Sequence, residues 1–392
     1  MRIFHRGWTH LLVLLLATLP FMAAAGANDP APSARNPGAT KMERPRIALV
    51  LSGGGAKGSA HIGVLKVLEA KHIPVDIIVG TSMGSYVAGM YAMGLSAEEV
   101  ERTTLAIDWN KGYQDKVGRD ELSLRKKQQT EKYQLRTDIG VNGDQTQLPH
   151  GFFQGQSMAS LLRHATSNLP AQKSFDNLPI PYRAVATDME TVTPFVLDHG
   201  SLAKAMQASM SIPGALKPVD WDGRILADGG TVNNMPVDVA KAMGADVVIA
   251  VDISAKLRTR ESLKSGLAMI DQLTTYMTQV GTEKQKALLG PRDILLTPEF
   301  GNMGIADFAL MPEGIKIGEA VANSAAARLD ALSLSPAAYA DYRNGKLSRR
   351  AERSGQPAYY IDKVEIINKS RLSDDTVRAM LNVRPDKVQT YE

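Results

Sequence analysis

Arg46-Ile47-Ala48-Leu49-Val50-Leu51-Ser52-Gly53-Gly54-Gly55-Ala56-Lys57-Gly58 is the stretch that decides the fold. A short, continuous, β-rich apolar run ended by glycines reads as a fully buried strand. Residues 59–71 then read as a helix, with Ile62, Leu65 and Leu68 or Val67 on one face. Residues 75–79 form a second buried strand, and 82–93 a second helix stopped by Gly94. Ser96-Ala97-Glu98-Glu99 is a capping box that opens another helix. Strand, helix, strand, helix is the order of a parallel sheet, so the expected class is α/β in three layers around a central, mainly parallel sheet.

Downstream, residues 108–150 are polar and mixed in charge, fitting either a solvated insertion or a surface that faces lipid headgroups. Strand-like runs return at 183–188, 194–197, 245–252 and 293–298. Residues 264–280 carry Leu267, Ile270, Leu273, Met277 and Val280 at helical spacing. Such a stripe belongs to a core or lies on a bilayer. After Arg343 the composition turns polar, and a linker over 336–358 is expected. Tyr360-Ile361-Asp362-Lys363-Val364-Glu365-Ile366 then alternates like a half-buried strand, and Ser373-Asp374-Asp375 caps a helix. Residues 359–392 therefore read as the opening of a second, small α+β domain. The chain shows no internal repeat.

The N-terminus has the charged, apolar, small-residue order of a secretory signal peptide. Arg2 and Arg6 precede the run from Leu11 to Leu19, followed by Ala23-Ala24-Ala25-Gly26-Ala27. Residues 1–27 are expected to be removed, and 28–45, rich in Pro, Ala, Gly and Ser, to be a flexible leader. The chain of 392 residues carries a formal charge of +4, and loss of Arg2 and Arg6 leaves +2. That balance gives no case for a nucleic-acid partner. The absence of cysteine excludes disulfides, cysteine catalysis and thiolate metal sites.

The chemistry lies in three ordered motifs. Gly53-x-Gly55-x-x-Gly58 also fits dinucleotide-binding loops. A ribose-binding acid should then end the second strand, whereas Val79 is followed by Gly80-Thr81-Ser82, and Asp76 lies at the wrong end. A P-loop needs Gly-Lys-Ser/Thr, but Lys57 precedes Gly58. In a hydrolase, Gly53, Gly54 and Gly55 would present amides at a helix N-terminus to the oxyanion of a tetrahedral intermediate. Lys57 would support that loop, screen negative charge or simply be solvated. Gly80-Thr81-Ser82-Met83-Gly84 places a serine between glycines after a buried strand and before a helix, a tight turn that exposes a nucleophilic hydroxyl. Helix capping by Ser82 is the plainer alternative.

A base must accompany it. The histidines are His5, His10, His61, His72, His150, His164 and His199, so none follows residue 199 and a Ser, acid, His order fits poorly. Asp228-Gly229-Gly230 follows the apolar pair Ile225-Leu226, and its glycines let a carboxylate approach another loop. A carboxylate can serve as general base if a desolvated pocket raises its pKa. Asp188 and Asp252 also end strands and are rival bases.

With these motifs in order, the sequence resembles the patatin-like phospholipases over about residues 45–330. Gly53 to Gly58, Gly80 to Gly84 and Asp228 to Gly230 match that family's three motifs, and Ala208-Ser209-Met210-Ser211-Ile212-Pro213-Gly214 resembles its small-residue segment. The resemblance implies a domain over 46–335 that hydrolyses acyl esters of phospholipids at a membrane surface, without metal or organic cofactor. It implies Ser82 as nucleophile, Asp228 as base, and the Gly53, Gly54 and Gly55 amides as oxyanion hole, with Lys57, Gly58, Gly80, Gly84, Gly229 and Gly230 supporting them. Residues 359–392 resemble the start of a POTRA domain. In bacterial patatin-like proteins of that kind an outer-membrane barrel follows, which implies a longer natural chain and a periplasmic, outer-membrane or surface location. A nonlipid esterase or thioesterase, and a noncatalytic lipid-binding or assembly module, are the competing expectations.

Overall fold

The alternation of side chains along the first strand builds two cores at once. In the computed structural model, β1 (Ile47–Leu51) sends Ile47, Leu49 and Leu51 into one apolar cluster, and Ala48 and Val50 into another. A strand buried on both faces needs an unbroken apolar run, and this one has it. The structure describes residues 44–113, 140–142, 145–147, 151–254, 257, 260, 266–354, 359–360, 373 and 388–389. The expected signal peptide, most of the leader, most of the 108–150 insertion and most of the POTRA-like segment lie outside them.

After β1 come a 3-10 turn at Gly55–Gly58 and helix α1 (Ser59–Ala70). Strand β2 (Ile77–Thr81) leads into α2 (Met83–Ala92), and α3 (Ala97–Ala106) and α4 (Trp109–Gly112) follow. The strand β2 starts two residues later than the pattern suggested, because the Asp76 carboxylate instead accepts from the Ile47 N–H and ion-pairs with Arg44. The capping box at Ser96 and Glu99 is formed in both directions. A hairpin of β3 (Gly140–Asn142) and β4 (Gln145–Gln147) precedes β5 (Gly151–Phe153) and α5 (Gln156–Ala165).

The chain continues through β6 (Tyr182–Asp188), β7 (Thr193–Leu197), α6 (Leu202–Met210), β8 (Gly214–Leu216), β9 (Val219–Trp221) and β10 (Arg224–Asp228). Then come α7 (Val237–Ala242), β11 (Val247–Val251), α8 (Gly266–Lys286) and β12 (Ile294–Leu296). Helices α9 (Met311–Ser324), α10 (Ala326–Asp330) and α11 (Pro336–Ser354) follow, with a short pairing of β13 (Tyr359–Tyr360) and β14 (Val388–Gln389).

The eight-stranded sheet runs β12-β11-β1-β2-β6-β10-β9, with β7 also paired to β6. Strands β12, β11, β1, β2 and β6 are mutually parallel, while β10 and β7 run against β6. Helices α1 and α2 cover one face through the larger cluster, and α7 covers the other through Val237 and Ala240, with Met235 just before it, giving three layers. Because β2 and β11 lie on opposite sides of β1, connections leave β1 in both directions. The crevice beyond such a switch point is where open α/β sheets bind ligands.

The linker expected from residue 336 is corrected. Residues Pro336–Ser354 are helical, and the polar stretch packs on the domain by its long side chains. Lys346 is buried, donating to the Leu95 carbonyl and lying over the Tyr91 ring, and Arg350 pairs with Glu99. Polar composition hid the helix because its anchors are amphipathic stems with charged tips.

Candidate active site

Register brings the two key residues together. Thr81, the last residue of β2, is level with Val185 on β6, and Asp228, the last of β10, is opposite Ala186 on the same strand. Ser82 and Asp228 therefore flank β6 at one height, though 146 residues separate them in sequence, and the Ser82 Oγ donates to Asp228 Oδ2 at 2.6 Å.

The turn that carries Ser82 is strained. Its φ of 53° and ψ of −128° place a residue with a side chain where glycine is favoured. Tight packing holds it there. A side chain at Gly84 would collide with the carbonyls of Leu51 and Ser52, and one at Gly80 with the carbonyl of Gly84. These two glycines thus serve close approach between β1, β2 and α2. The Ser82 N–H donates to the Ser209 Oγ at 2.9 Å, and Ser209 donates onward to the Val185 carbonyl.

Asp228 is held on all sides. Its N–H donates to the Ser211 carbonyl, its own carbonyl accepts from Thr187 Oγ1, and its Oδ1 accepts from the Gly230 N–H at 2.7 Å. Burial pushes its carboxyl up to about 6, although the hydrogen bonds from Ser82 and Gly230 act the other way. A carboxylate so placed is a far better base than one in water.

Both rival acids are engaged elsewhere. Burial raises Asp188, but its ion pair with Arg224 and the Glu190 N–H leave it below the usual carboxylate range. Asp252 pairs with Lys286 at 2.7 Å and accepts from the Ser254 N–H. The histidines in the described part take no place beside Ser82 and Asp228. His61 is fully buried with one ring nitrogen 2.8 Å from the Ser52 carbonyl, and burial lowers it to about 4. His72 stacks on Tyr339, and His199 lies between Asp198 and Asp222.

The glycine loop differs from expectation at one position. The Gly53 N–H is directed at Asn234, to its side-chain oxygen at 3.1 Å and its carbonyl at 3.3 Å. Gly53 is therefore removed from the expected oxyanion donors, since a donated hydrogen cannot also face substrate. The Gly54 and Gly55 amides have no hydrogen-bond acceptor among the described residues, and both residues line the same cavity as Ser82 and Asp228. Lys57 lies over the Phe300 ring, outside that lining. Gly229 packs against the Val185 carbonyl, close enough that a side chain would not fit.

The cavity has a volume of about 580 Å³. Tyr113, Phe153, Ile212, Pro213, Ile305 and Phe308 form its apolar wall, and Asn110, Thr231, Asn234, Thr275 and Thr278 supply polar groups. That volume is in the usual range for sites that enclose a small ligand. Among the described residues no cluster of three or more His, Asp or Glu could hold a metal ion.

Sequence reasoning missed Ser209 as a support and missed Asn234 altogether. Ser209 lies in the small-residue segment 208–214, but nothing local says that its hydroxyl meets the backbone of residue 82. Asn233-Asn234 beyond the Asp-Gly-Gly motif was a visible signal, since paired amides after a glycine turn can brace a neighbouring loop.

This fold and site define a class. Residues 49–241 match the model of the family described as patatin-like phospholipase, and over that span the chain belongs to that family. Its fold is the three-layer patatin-like α/β fold with a central, mostly parallel sheet.

The chain is 35% identical over 215 residues to patatin-like phospholipase domain-containing protein 6 of Homo sapiens, which takes in 54% of this chain and 14% of that protein. It is 32% identical over 211 residues to an uncharacterized NTE family protein of Mycobacterium tuberculosis, covering 54% of this chain and 49% of that one. It thus spans less than half the length of these relatives. Among solved structures it is similar to VipD from Legionella pneumophila, with a TM-score of 0.38 and 16% identity over 73% of this chain and 67% of that one. It is also similar to the type III effector protein ExoU, at a TM-score of 0.34 and 18% identity over 79% of this chain and 61% of that one.

Proposed function

We propose that this domain is a serine acyl hydrolase that cleaves fatty-acyl esters of phospholipids through a Ser82–Asp228 dyad. The observation that carries the reading is the 2.6 Å hydrogen bond from Ser82 to a buried carboxylate whose pKa is raised, inside a largely apolar cavity. The family match supports lipid hydrolysis as the class of reaction.

Substrate enters with its ester carbonyl carbon at the Ser82 Oγ. As Oγ bonds that carbon, its proton passes to Asp228 Oδ2 and the carbonyl π pair moves to oxygen. The Gly54 and Gly55 amides receive the oxyanion, each such donor contributing about 3 kcal/mol. Collapse of the intermediate expels the alcohol, a lysophospholipid, which takes the proton from Asp228. Water then attacks the acyl-enzyme, giving a proton to Asp228, and the departing Oγ recovers it as the fatty acid leaves. The apolar wall of Tyr113, Phe153, Ile212 and Phe308 takes the acyl chain. No imidazole is needed, because a carboxyl near 6 can both accept and return a proton at neutral pH.

Mass spectrometry of products from defined phospholipids tests this, with Ser82→Ala and Asp228→Asn as controls. Loss of free fatty acid in both variants is expected, with circular dichroism unchanged. Near-normal turnover in either would remove that residue from its role, and no turnover by the wild type on any ester would remove the reaction. We also infer export, from the order of Arg2, Arg6, apolar run and small residues at the N-terminus. A cell-associated protein that retains residues 1–27 and stays in the cytoplasm would exclude it.

A further inference from the structure

Helix α8 (Gly266–Lys286) is amphipathic in the opposite sense to an ordinary surface helix, which buries its apolar stripe and shows polar residues to water. Here Thr275, Thr278 and Thr282 face inward. Thr275 and Thr278 line the catalytic cavity, and Thr282 is buried, donating to the Thr278 carbonyl. The exposed side carries Met269, Leu273, Tyr276, Met277 and Val280, all large and apolar, with Leu273 65% and Tyr276 56% exposed. Their spacing of three and four residues puts them on one stripe. Residues 266–282 contain a single charged residue, Asp271. Lys284 is exposed one turn beyond Val280 on the same side and ends the stripe with a cation. Ile212 and Ile305, which line the cavity, are also exposed, at 37% and 41%.

We propose that the Met269, Leu273, Tyr276, Met277 and Val280 stripe is the face by which the domain sits on a phospholipid surface. The inference rests on the acyl-hydrolase reading of the same site and adds how its substrate arrives. The argument is continuity: the helix that turns threonines into the cavity turns its apolar side outward beside the cavity mouth. A folded protein held on that stripe would lie across the way to Ser82, whereas a fluid lipid layer delivers the substrate itself. Leucine, methionine and tyrosine suit the boundary between acyl chains and headgroups, and Lys284 suits their phosphates.

The test uses the full chain and its double variant Leu273→Ser with Met277→Ser, two exposed residues outside the cavity lining. Flotation with vesicles of equimolar phosphatidylethanolamine and phosphatidylglycerol measures binding. The variant should bind about tenfold more weakly or worse, because two large apolar side chains no longer leave water. Hydrolysis of a soluble short-chain ester should stay within about twofold, and Leu273→Ile with Met277→Leu should bind like the wild type. Equal flotation of the serine variant and wild type, or no flotation of the wild type, overturns the proposal. So does a wild-type dimer that the variant dissolves while vesicle binding stays unchanged, which would make the stripe a contact between two copies. If no ester is turned over but the serine variant still floats less, the docking face stands and the catalytic reading falls.

Discussion

The backbone N–H of Ser82 donates to the hydroxyl of Ser209 at 2.9 Å, across 127 residues of sequence. Two residues further along, the Ser211 carbonyl accepts from the Asp228 N–H. One stretch at the end of α6 therefore ties down the backbones of both Ser82 and Asp228. Ser209→Ala would leave the strained Ser82 amide unpaired in a buried site. The expected result is a loss of about 1–2 kcal/mol in stability and a fall of about tenfold in kcat with KM little changed. Urea unfolding and steady-state kinetics on a soluble ester read the two effects, and unchanged kcat would make Ser209 structural only.

The pH profile should report Asp228. The base must be ionised to accept the Ser82 proton, so kcat/KM should fall as pH drops through about 6, the value to which burial raises this carboxyl. An unperturbed carboxylate would hold activity down to about pH 4. The same shift has a cost for folding. Between about pH 4 and about pH 6 the folded state binds more protons than the unfolded chain, so stability from this group is lost as pH rises. Asp228→Asn should then be more stable than wild type by about 2–3 kcal/mol near neutral pH and equal to it below about pH 4. Urea titrations across that range check the sign.

Much of this site was legible in the sequence because its motifs are local. Buried strands announce themselves by unbroken apolar runs, and the turns around Ser82 by flanking glycines, so β1, β2 and their helices follow from residues 46–93 alone. Strand β10 was nearly silent, since Arg224–Asp228 contains only two large apolar residues and is antiparallel to β6. Its pairing with β6 brings Asp228 to Ser82, and pairing is a long-range property. The Gly53 amide could not be discounted from sequence either, because its acceptor is 181 residues away.

Asn234 braces the glycine loop from both sides. It accepts from the Gly53 N–H, and its Nδ2 donates to the Gly53 carbonyl and to Ser254 Oγ. Asn234→Asp would keep the acceptor, lose both donors and set a negative charge in the cavity beside the developing oxyanion. A drop in kcat of about 10²-fold is expected, of the size seen when one oxyanion donor is lost. The rate of labelling by a fluorophosphonate should fall in parallel. Unchanged labelling would show that the loop holds its geometry without this amide.

Lys346 tests whether α11 belongs to the folded domain. Its Nζ donates to the Leu95 carbonyl at 2.8 Å, lies 3.4 Å from the Tyr91 ring centroid and has Glu69 at 4.0 Å. Burial pushes its pKa down to about 8, against the pull of Glu69 and Glu99. Below that pH the amine is charged in both folded and unfolded chains, and the cost of burying it is fully present. Between about pH 8 and about pH 10 the folded state releases its proton first, so the unfolded chain binds more protons and wild-type stability rises with pH. Lys346→Met has no such group. The wild type should therefore gain on Lys346→Met by about 2–3 kcal/mol as pH is raised from about 7 to about 10, all other titrations cancelling in the difference. Guanidinium unfolding of the two proteins at both ends of that range measures the gain. A difference that does not change with pH would mean that Lys346 is solvated and that the helix does not hold it against Tyr91.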